Sequence, residues 1–327
     1  MRKVLCVCVL LIASFFGAIA AETGDLKLWY STPARNWWEA LPVGNSHIGG
    51  MVFGGVAHEE IQLNEETFWA GGPYSNNREG ASAYLNEVRR LIFEGKNSEA
   101  RSLLDAKFMT SQHGMRYLTL GSLQMDFDCE GEVDAYYRDL NLEDATASVR
   151  FRCGEVEYTR RVFTSFADNV MVIELAAGED TRKLGVDLKY ACPLASEVKS
   201  EGEYLVMYCN GTEHEGIPAA LHAVVMMRVK SDGKVVCKNG SLSVKDASSA
   251  TIFLSAATNF VNYQDVSGDA YAKARRAIEG AWDKPNKVLY KEHKETYSEQ
   301  FGRVDLSLPS SEFSKRETDI RINEFNK

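Results

Sequence analysis

The sequence predicts a mainly β protein: a large antiparallel β-sandwich with an inserted helical pair and a C-terminal helical linker. Two patterns lead to this prediction. Between residues 145 and 260, short apolar or alternating segments follow one another, and turn signals separate them, which is typical of stacked antiparallel sheets. Around residues 84–108, and again after residue 267, apolar side chains recur at helical spacing, which indicates helices in those two regions.

The predicted strands are rich in β-branched and aromatic residues, which favour extended structure. Residues 184–190 alternate between apolar and polar side chains, the period of a strand that is buried on one face. Asn210-Gly211 and Asn239-Gly240 are turn signals between strands. The strands are predicted at residues 156–163, 170–175, 184–190, 204–209, 219–229 and 250–256.

An inserted pair of helices is predicted before these strands. The first helix presents one apolar face, formed by Tyr84, Leu85, Val88, Leu91 and Ile92. Their spacing places them on adjacent turns of a helix, and the glycine at position 95 is suited to end it. Asn97 or Ser98 is suited to cap the second helix, which extends towards Phe108.

The chain is expected to have three parts: a signal peptide at 1–20, an N-terminal β-sandwich domain at 21–265 and a helical linker at 266–327. The chain begins with two basic residues, which are followed by a long apolar run and by small residues at positions 18 and 20. This order is typical of a secretory signal. We therefore expect an exported protein, periplasmic or extracellular, with no membrane segment after cleavage. In the linker, Thr318 is suited to cap the last helix.

Composition excludes several function classes. The formal charge is −9, and it becomes −11 once the signal takes Arg2 and Lys3 with it. This balance argues against a nucleic-acid partner, because phosphates require a basic face. The six histidines show no metal-binding motif, and no nucleotide-binding motif is present in the glycine-rich segment 44–55. We expect no cofactor and no metal.

Five cysteines remain after residue 20: Cys129, Cys153, Cys192, Cys209 and Cys237. Their number is odd and no two are spaced as CxxC, so the sequence predicts neither a zinc site nor a dense disulfide framework. Most are expected to be buried apolar side chains, and one disulfide is compatible with export.

The carboxylates and tryptophans between residues 37 and 69 can serve structural roles as well as functional ones. Glu65 and Glu66 are adjacent, and neighbours on a strand point to opposite faces, so they are not suited to flank one glycosidic bond. We expect one to be hydrogen-bonded and the other solvated. Core packing is expected for at least one of Trp37 and Trp38, whereas Trp69 lies before Gly71-Gly72-Pro73, in the setting of an exposed loop.

Two motifs carry a family resemblance: LPVGNSHIGGMVFGG at 41–55 and IQLNEETFWAGGP at 61–73. They resemble the opening of family 95 glycoside hydrolases, the inverting α-L-fucosidases. Further similar segments follow in order along the chain, at 28–42, 87–96, 120–127, 136–142, 158–163 and 297–306. The resemblance implies a β-sandwich of super-sandwich type, a helical linker, an (α/α)6 catalytic barrel and a C-terminal β-domain.

The resemblance also implies a function. It implies the N-terminal part of an exported glycoside hydrolase that releases terminal α-L-fucose with inversion, with fucosylated oligosaccharides or plant or host glycans as partners. The family's catalytic carboxylates belong to the barrel, which is expected downstream of Lys327, so no catalytic residue is assigned and residues 1–327 alone are expected to be inactive. Without the barrel as a partner, the linker helices are expected to pack poorly.

Four residues are candidates for contact with substrate or with the barrel: Asn45, His47, Asn64 and Trp69. This chain has Asn45-Ser46-His47 where the family usually has Asn-Gly-Arg, so His47 is a candidate determinant of substrate preference. An α-L-galactosidase of the same family, a glycoside phosphorylase, and a non-catalytic carbohydrate-binding or scaffold domain remain alternatives.

Overall fold

The computed structural model describes residues 26–111, 113–129, 131–178, 181–306, 309 and 311–325. The signal peptide expected at residues 1–20 lies outside the described residues. Within them, the structure is mainly β, as the sequence predicts. No helix among these described residues is long and apolar enough to span a membrane.

The described residues form sixteen strands. The first eight are β1 (Lys27–Tyr30), β2 (Leu41–Gly44), β3 (Ile48–Val52), β4 (His58–Glu65), β5 (Ser122–Phe127), β6 (Val133–Asn141), β7 (Thr146–Cys153) and β8 (Val156–Ser165). The others are β9 (Val170–Ala177), β10 (Leu184–Ala191), β11 (Ser196–Glu201), β12 (Tyr204–Asn210), β13 (His222–Ser231), β14 (Lys234–Lys238), β15 (Ser241–Ala247) and β16 (Ser249–Thr258). The helices are α1 (Leu85–Phe93), α2 (Asn97–Lys107), α3 (Ala270–Trp282), α4 (Asn286–Phe301) and α5 (Thr318–Phe325).

Two antiparallel sheets make the sandwich. The nine-stranded sheet has the order β1-β6-β7-β8-β9-β16-β13-β12-β11, and the seven-stranded sheet has the order β14-β15-β10-β5-β4-β3-β2. Successive side chains of a strand point to opposite faces, so every second residue enters the space between the sheets. Leu63, Leu123 and Leu188 enter it from the smaller sheet, and Phe151 and Ile173 enter it from the larger one.

The outer face of the nine-stranded sheet has its own apolar cluster. On α3, Ala274 and Ile278 are fully buried against strand residues such as Met226 and Phe253, and Leu289 of α4 joins them. The expectation that the linker helices pack poorly is therefore wrong for α3 and α4. Small alanines and an isoleucine at helical spacing let α3 lie close to the sheet, which supplies the partner that the sequence alone does not reveal.

α5 lies against β1, the edge strand of the nine-stranded sheet. The Trp29 N–H donates to the Thr318 hydroxyl over 3.0 Å, and the Trp29 indole N–H donates to the Lys315 carbonyl over 3.2 Å. Glu317 accepts from both the backbone N–H and the hydroxyl of Ser31. The start of α5 and the residues just before it thus hydrogen-bond to β1 and to Ser31 directly after it.

The predicted helical pair is present as α1 and α2. The backbone of Gly95 has φ of +73°, the left-handed conformation that ends helices and suits glycine. Val88 and Leu91 of the predicted apolar face are buried, whereas Phe93 is 89% exposed. The helix pair therefore buries only part of its apolar surface.

One disulfide is present among the described residues, between Cys129 and Cys153. It joins the segment after β5 to the end of β7, and so links the two sheets. Cys192, Cys209 and Cys237 are free thiols, of which Cys209 is fully buried. The disulfide agrees with the expectation that one is compatible with export, whereas the expectation that most cysteines are buried is wrong: only Cys153 and Cys209 are buried, and Cys129, Cys192 and Cys237 are partly exposed.

Candidate functional site

A cleft of about 210 Å³ opens between the loop after β4 and the loop after β16. The first loop contributes Trp69, and the second contributes Phe260 and Tyr263. Its full lining is Thr67, Trp69, Ala70, Gly72, Pro73, Tyr74, Met115, Leu221, Phe260, Asn262, Tyr263 and Val266. A concave, largely apolar surface with a few polar groups is the usual form of a small-molecule site.

Trp69 is a fixed aromatic wall of this cleft. Its indole N–H donates to the Glu66 carbonyl over 2.9 Å, and its ring meets the Tyr117 ring edge-on with centroids 4.9 Å apart. The indole is still 41% exposed, and Tyr263 is 74% exposed. Exposed aromatic rings that carry a polar group suit ligands that present both C–H and hydroxyl groups.

Asn64 and Tyr117 stand behind Trp69. The Tyr117 hydroxyl donates to the Glu65 carbonyl over 2.8 Å. The side chain of Asn64 also hydrogen-bonds this hydroxyl, and burial raises the pKa of Tyr117 above its usual value. Asn64 therefore helps to hold the ring against which Trp69 packs. The sequence did not point to Tyr117, which lies far from Trp69 along the chain.

Glu65 is a buried carboxylate at the end of β4. It accepts from the Thr67 N–H over 2.7 Å and from the Thr67 hydroxyl, and Thr67 in turn contacts the hydroxyl of Thr258 on β16. Burial raises the pKa of Glu65, and the Thr67 hydrogen bonds oppose that rise. The Glu66 side chain is 53% exposed, so the expectation of one hydrogen-bonded and one solvated carboxylate is confirmed.

His47 lies between these two carboxylates. Its Nδ1 is 3.0 Å from Glu66 Oε1 and 3.6 Å from Glu65 Oε1. The pairing of β3 with β4 puts Ile48 opposite Glu65, so the turn before β3 lies beside the two carboxylates at the end of β4. The imidazole is partly exposed, which leaves one face accessible to a ligand or a neighbouring domain.

Asn45 shapes the turn that carries His47. It is 4% exposed, and its side-chain oxygen accepts from the N–H groups of His47 and Ile48. Its amide donates to the Ser165 carbonyl over 2.8 Å. An asparagine that bonds its own turn in this way fixes the backbone locally. The structure gives Asn45 a positioning role and leaves it little surface for direct contact.

The two front tryptophans contradict the expectation of core packing. Trp37 is 49% exposed and Trp38 is 82% exposed. They pack edge-on against each other in a short 3-10 turn, with ring centroids 5.0 Å apart. Asn36 caps this turn by accepting from the Trp38 N–H. The turn directs both rings away from the sandwich, so they are not part of its core.

A larger groove of about 560 Å³ lies on the outer face of the nine-stranded sheet beside α4. Four of its charged side chains form ion pairs within the groove: Lys27 with Asp139 and Arg161 with Glu174. Arg161 also covers the ring of Tyr290, 4.0 Å from its centroid. Because these groups bind each other and none of the sequence-derived candidates lines the groove, the aromatic cleft is the better candidate site.

The described residues contain no group of three or more His, Cys, Asp or Glu side chains arranged to hold a metal ion. The residues that line the aromatic cleft include no carboxylate. In the described part of the chain, the cleft is therefore equipped for contact through aromatic rings and hydroxyl or amide groups rather than for acid–base chemistry.

The family model described as "Glycosyl hydrolase family 65, N-terminal domain" matches residues 28–263. The chain belongs to this family. In this chain the match to the family 65 N-terminal domain runs from β1 to the loop after β16, and it therefore reaches every strand of both sheets. The residues that line the aromatic cleft lie within the matched residues, apart from Val266, and so do His47, Glu65 and Glu66.

Curated relatives of this family 65 domain are named as fucosidases. "Alpha-L-fucosidase 2" of Arabidopsis thaliana is 30% identical over 321 residues, which cover 88% of this chain and 37% of that protein. "Probable alpha-fucosidase A" of Aspergillus niger is 24% identical over 306 residues, which cover 86% of this chain and 38% of that protein. The expected relationship to the family 95 α-L-fucosidases is confirmed by these matches. The chain spans about two fifths of the length of these curated relatives.

A solved structure shares the fold of the family 65 domain. It is described as "Putative kojibiose phosphorylase from human microbiome" and has a TM-score of 0.52 at 10% sequence identity. The match covers 84% of this chain and 38% of that chain. Identity this low shows a common fold and leaves the reaction to be argued from other observations.

Proposed function

We propose that the chain is the N-terminal part of an exported glycoside hydrolase that releases terminal α-L-fucose from glycans with inversion. The observation that carries this proposal is the 30% identity to a protein named an α-L-fucosidase, maintained over 321 residues. Two weaker matches bear fucosidase names as well. The proposed location is periplasmic or extracellular, and the proposed substrates are fucosylated oligosaccharides or plant or host glycans.

In this proposal the aromatic cleft makes contacts and does not cleave bonds. Inverting hydrolysis requires two carboxyl groups about 6.5–9.5 Å apart, on opposite sides of the scissile bond. Glu65 and Glu66 both approach the same imidazole, and neither lines the cleft. We therefore expect residues 1–327 alone to show no hydrolytic turnover, and we assign the cleavage to a catalytic barrel encoded in the same reading frame.

Trp69 and Tyr263 are proposed to contact either the non-cleaved part of a glycan or the barrel itself. Both are exposed, and Trp69 is held by hydrogen bonding and by Tyr117. His47 contacts the side chain of Glu66, and the Glu66 carbonyl accepts the hydrogen bond of the Trp69 indole. A substitution at His47 would therefore act on the residue that holds Trp69 in place.

The test is to express the whole open reading frame that contains this chain, in parallel with residues 21–327. Release of L-fucose and of L-galactose would be measured from matched α-linked substrates, with and without inorganic phosphate. The expected result is fucose release by the whole product, independent of phosphate, and none by residues 21–327. Preferential release of galactose, or dependence on phosphate, would replace the fucosidase proposal by an α-L-galactosidase or a phosphorylase.

A glycan-binding domain is the second candidate, and the aromatic cleft without a carboxylate is the observation that favours it. A whole reading-frame product that binds a fucosylated oligosaccharide but releases no sugar would support this candidate. Robust fucose release by residues 21–327 would contradict both proposals, because the described residues of the cleft hold no carboxylate pair to catalyse it.

The contribution of the cleft can be measured with one substitution and one matched control. Trp69→Ala removes an aromatic contact worth about 1 kcal/mol, so KM for an oligosaccharide should rise by about 5-fold. Trp38→Ala removes an exposed tryptophan elsewhere on the surface and should leave KM unchanged. Equal changes in KM for the two substitutions would contradict a contact between the cleft and the substrate.

A further inference from the structure

Two free thiols lie next to each other at the junction of the two sheets. Cys192 follows β10 of the seven-stranded sheet, and Cys209 is on β12 of the nine-stranded sheet. The Cys209 thiol donates a hydrogen bond to the sulfur of Cys192, with the two sulfurs 3.7 Å apart. A bonded pair of sulfurs is about 2.05 Å apart, so these two need to approach by roughly 1.6 Å.

The two thiols differ in access and in acidity. Cys192 is partly exposed, whereas Cys209 is fully buried. The hydrogen bond from Cys209 lowers the pKa of Cys192 to about 6, helped by the Leu194 N–H and the Ser196 hydroxyl and opposed by burial. The same contact and burial raise the pKa of Cys209. Thiolates, rather than thiols, attack disulfides.

We propose that Cys192 and Cys209 form an oxidisable pair, in which Cys192 reacts first with a small organic disulfide and Cys209 then closes an intramolecular disulfide between the two sheets. In the first step the Cys192 thiolate attacks one sulfur of the reagent, and the other sulfur leaves as a thiolate. In the second step Cys209 loses its proton and attacks the Cys192 sulfur, which expels the remaining reagent thiolate. Two protein thiols are oxidised and one reagent disulfide is reduced to two thiols.

The third free cysteine of the described residues provides a control within the same chain. Cys237 is also partly exposed, but burial raises the pKa of its thiol, and its sulfur donates to the Tyr204 carbonyl over 3.3 Å. It therefore holds its proton at neutral pH and lacks the donor that Cys209 supplies to Cys192. Exposure alone would make the two cysteines equally reactive; the proposal requires Cys192 to react first.

The consequence for the fold is a second covalent link between the sheets, in addition to Cys129–Cys153. The new bond would close a short loop that contains all of β11. Closing a loop of this size restricts the unfolded chain, and for a domain of this size we expect the thermal midpoint to rise by about 5 °C on oxidation.

The experiment uses oxidised glutathione on the purified protein at pH 7, followed by alkylation, proteolysis without reduction and mass spectrometry. We expect a peptide pair joined through Cys192 and Cys209 in the wild type and in Cys237→Ser. Cys209→Ser keeps a hydroxyl donor beside Cys192 and should accumulate glutathione on Cys192. Cys192→Ser should give neither product, and its thermal midpoint should not respond to oxidation.

Three results would overturn the proposal. The first is glutathione on Cys237 before Cys192 in the Cys209→Ser variant. The second is a new wild-type cross-link, in addition to the native Cys129–Cys153 bond, that joins a pair other than Cys192 and Cys209. The third is an alkylation rate of Cys192 that shows no inflection between pH 5 and 7 in the reduced wild type, which retains all its native contacts.

Discussion

A buried ion pair inside the sandwich allows us to predict how far the free energy of unfolding falls when one of its charges is removed. Arg160 and Glu59 are joined over 2.8 Å, and their side chains are 3% and 1% exposed. The guanidinium also donates to the carbonyls of Gly55 and Val56 and lies 3.9 Å from the centre of the Phe127 ring. Burial raises the pKa of Glu59 and lowers that of Arg160, which means that burial opposes both charges.

Glu59→Gln keeps the size of the side chain and removes its charge. The guanidinium then stays buried without a counter-ion, and breaking such a pair costs about 3–5 kcal/mol. Domains of ordinary stability unfold with about 5–15 kcal/mol, so at least about a fifth of the free energy of unfolding would be lost. With a urea dependence near 3 kcal/mol per M, the unfolding midpoint should fall by roughly 1–1.7 M.

The measurement is urea unfolding followed by circular dichroism and tryptophan fluorescence, for the single variant and for Glu59→Leu combined with Arg160→Met. Replacing both members by apolar side chains removes both desolvation costs, so the double variant should be more stable than Glu59→Gln. Asp134→Asn breaks a pair whose side chains are both about half exposed and serves as the surface control. A midpoint for Glu59→Gln equal to that of the control, or a double variant less stable than the single one, would refute this reasoning.

Three further perturbations test other parts of the structure. His293 is fully buried, and burial lowers the pKa of its imidazole below 6.5. The free energy of unfolding should therefore be at its full value above pH 6.5 and should fall below that pH by at most about 1.4 kcal/mol per pH unit. Urea titrations at a series of pH values should show this dependence flattened in His293→Gln. Ile278→Ala should cost about 2–5 kcal/mol in thermal unfolding if α3 packs as described, and a loss below about 1 kcal/mol would show that it does not. Gly121→Ala should lower the melting temperature and the yield of folded protein, since its φ is +78° and the added Cβ would lie 2.1 Å from the Ala191 carbonyl oxygen; an unchanged melting temperature would count against that geometry.

Much of the secondary structure could be predicted because its signals are local. The apolar segment at residues 170–175 lies within β9, and the alternating segment at residues 184–190 lies within β10. The glycine at position 95 ends α1 as predicted. Each of these patterns depends on residues that are close in sequence, where spacing and backbone preference determine the outcome.

The pairing of distant segments could not be predicted in the same way. β1 pairs with β6, and β5 lies between β4 and β10, an order that depends on contacts far apart in sequence. The site shows the same limit: the sequence pointed to Trp69 and His47 but not to Tyr117 or Tyr263, which reach the same region from other loops. The sequence also did not predict the exposure of Trp38. A large apolar side chain suits a core, and only the short turn around Trp38 determines where that side chain points.

The contact between α5 and β1 bears on self-association. An uncovered edge strand presents unpaired N–H and C=O groups that can recruit a strand from another molecule. β14, an edge of the seven-stranded sheet, carries lysines at both ends, and β2, its opposite edge, contains Pro42; charge and proline both disfavour such recruitment. β1 has Leu28, Trp29 and Tyr30 in succession, and Thr318, Lys315 and Glu317 occupy polar groups along it. The segment from 311 to 325 therefore covers the apolar edge strand β1 and disfavours strand-to-strand aggregation there.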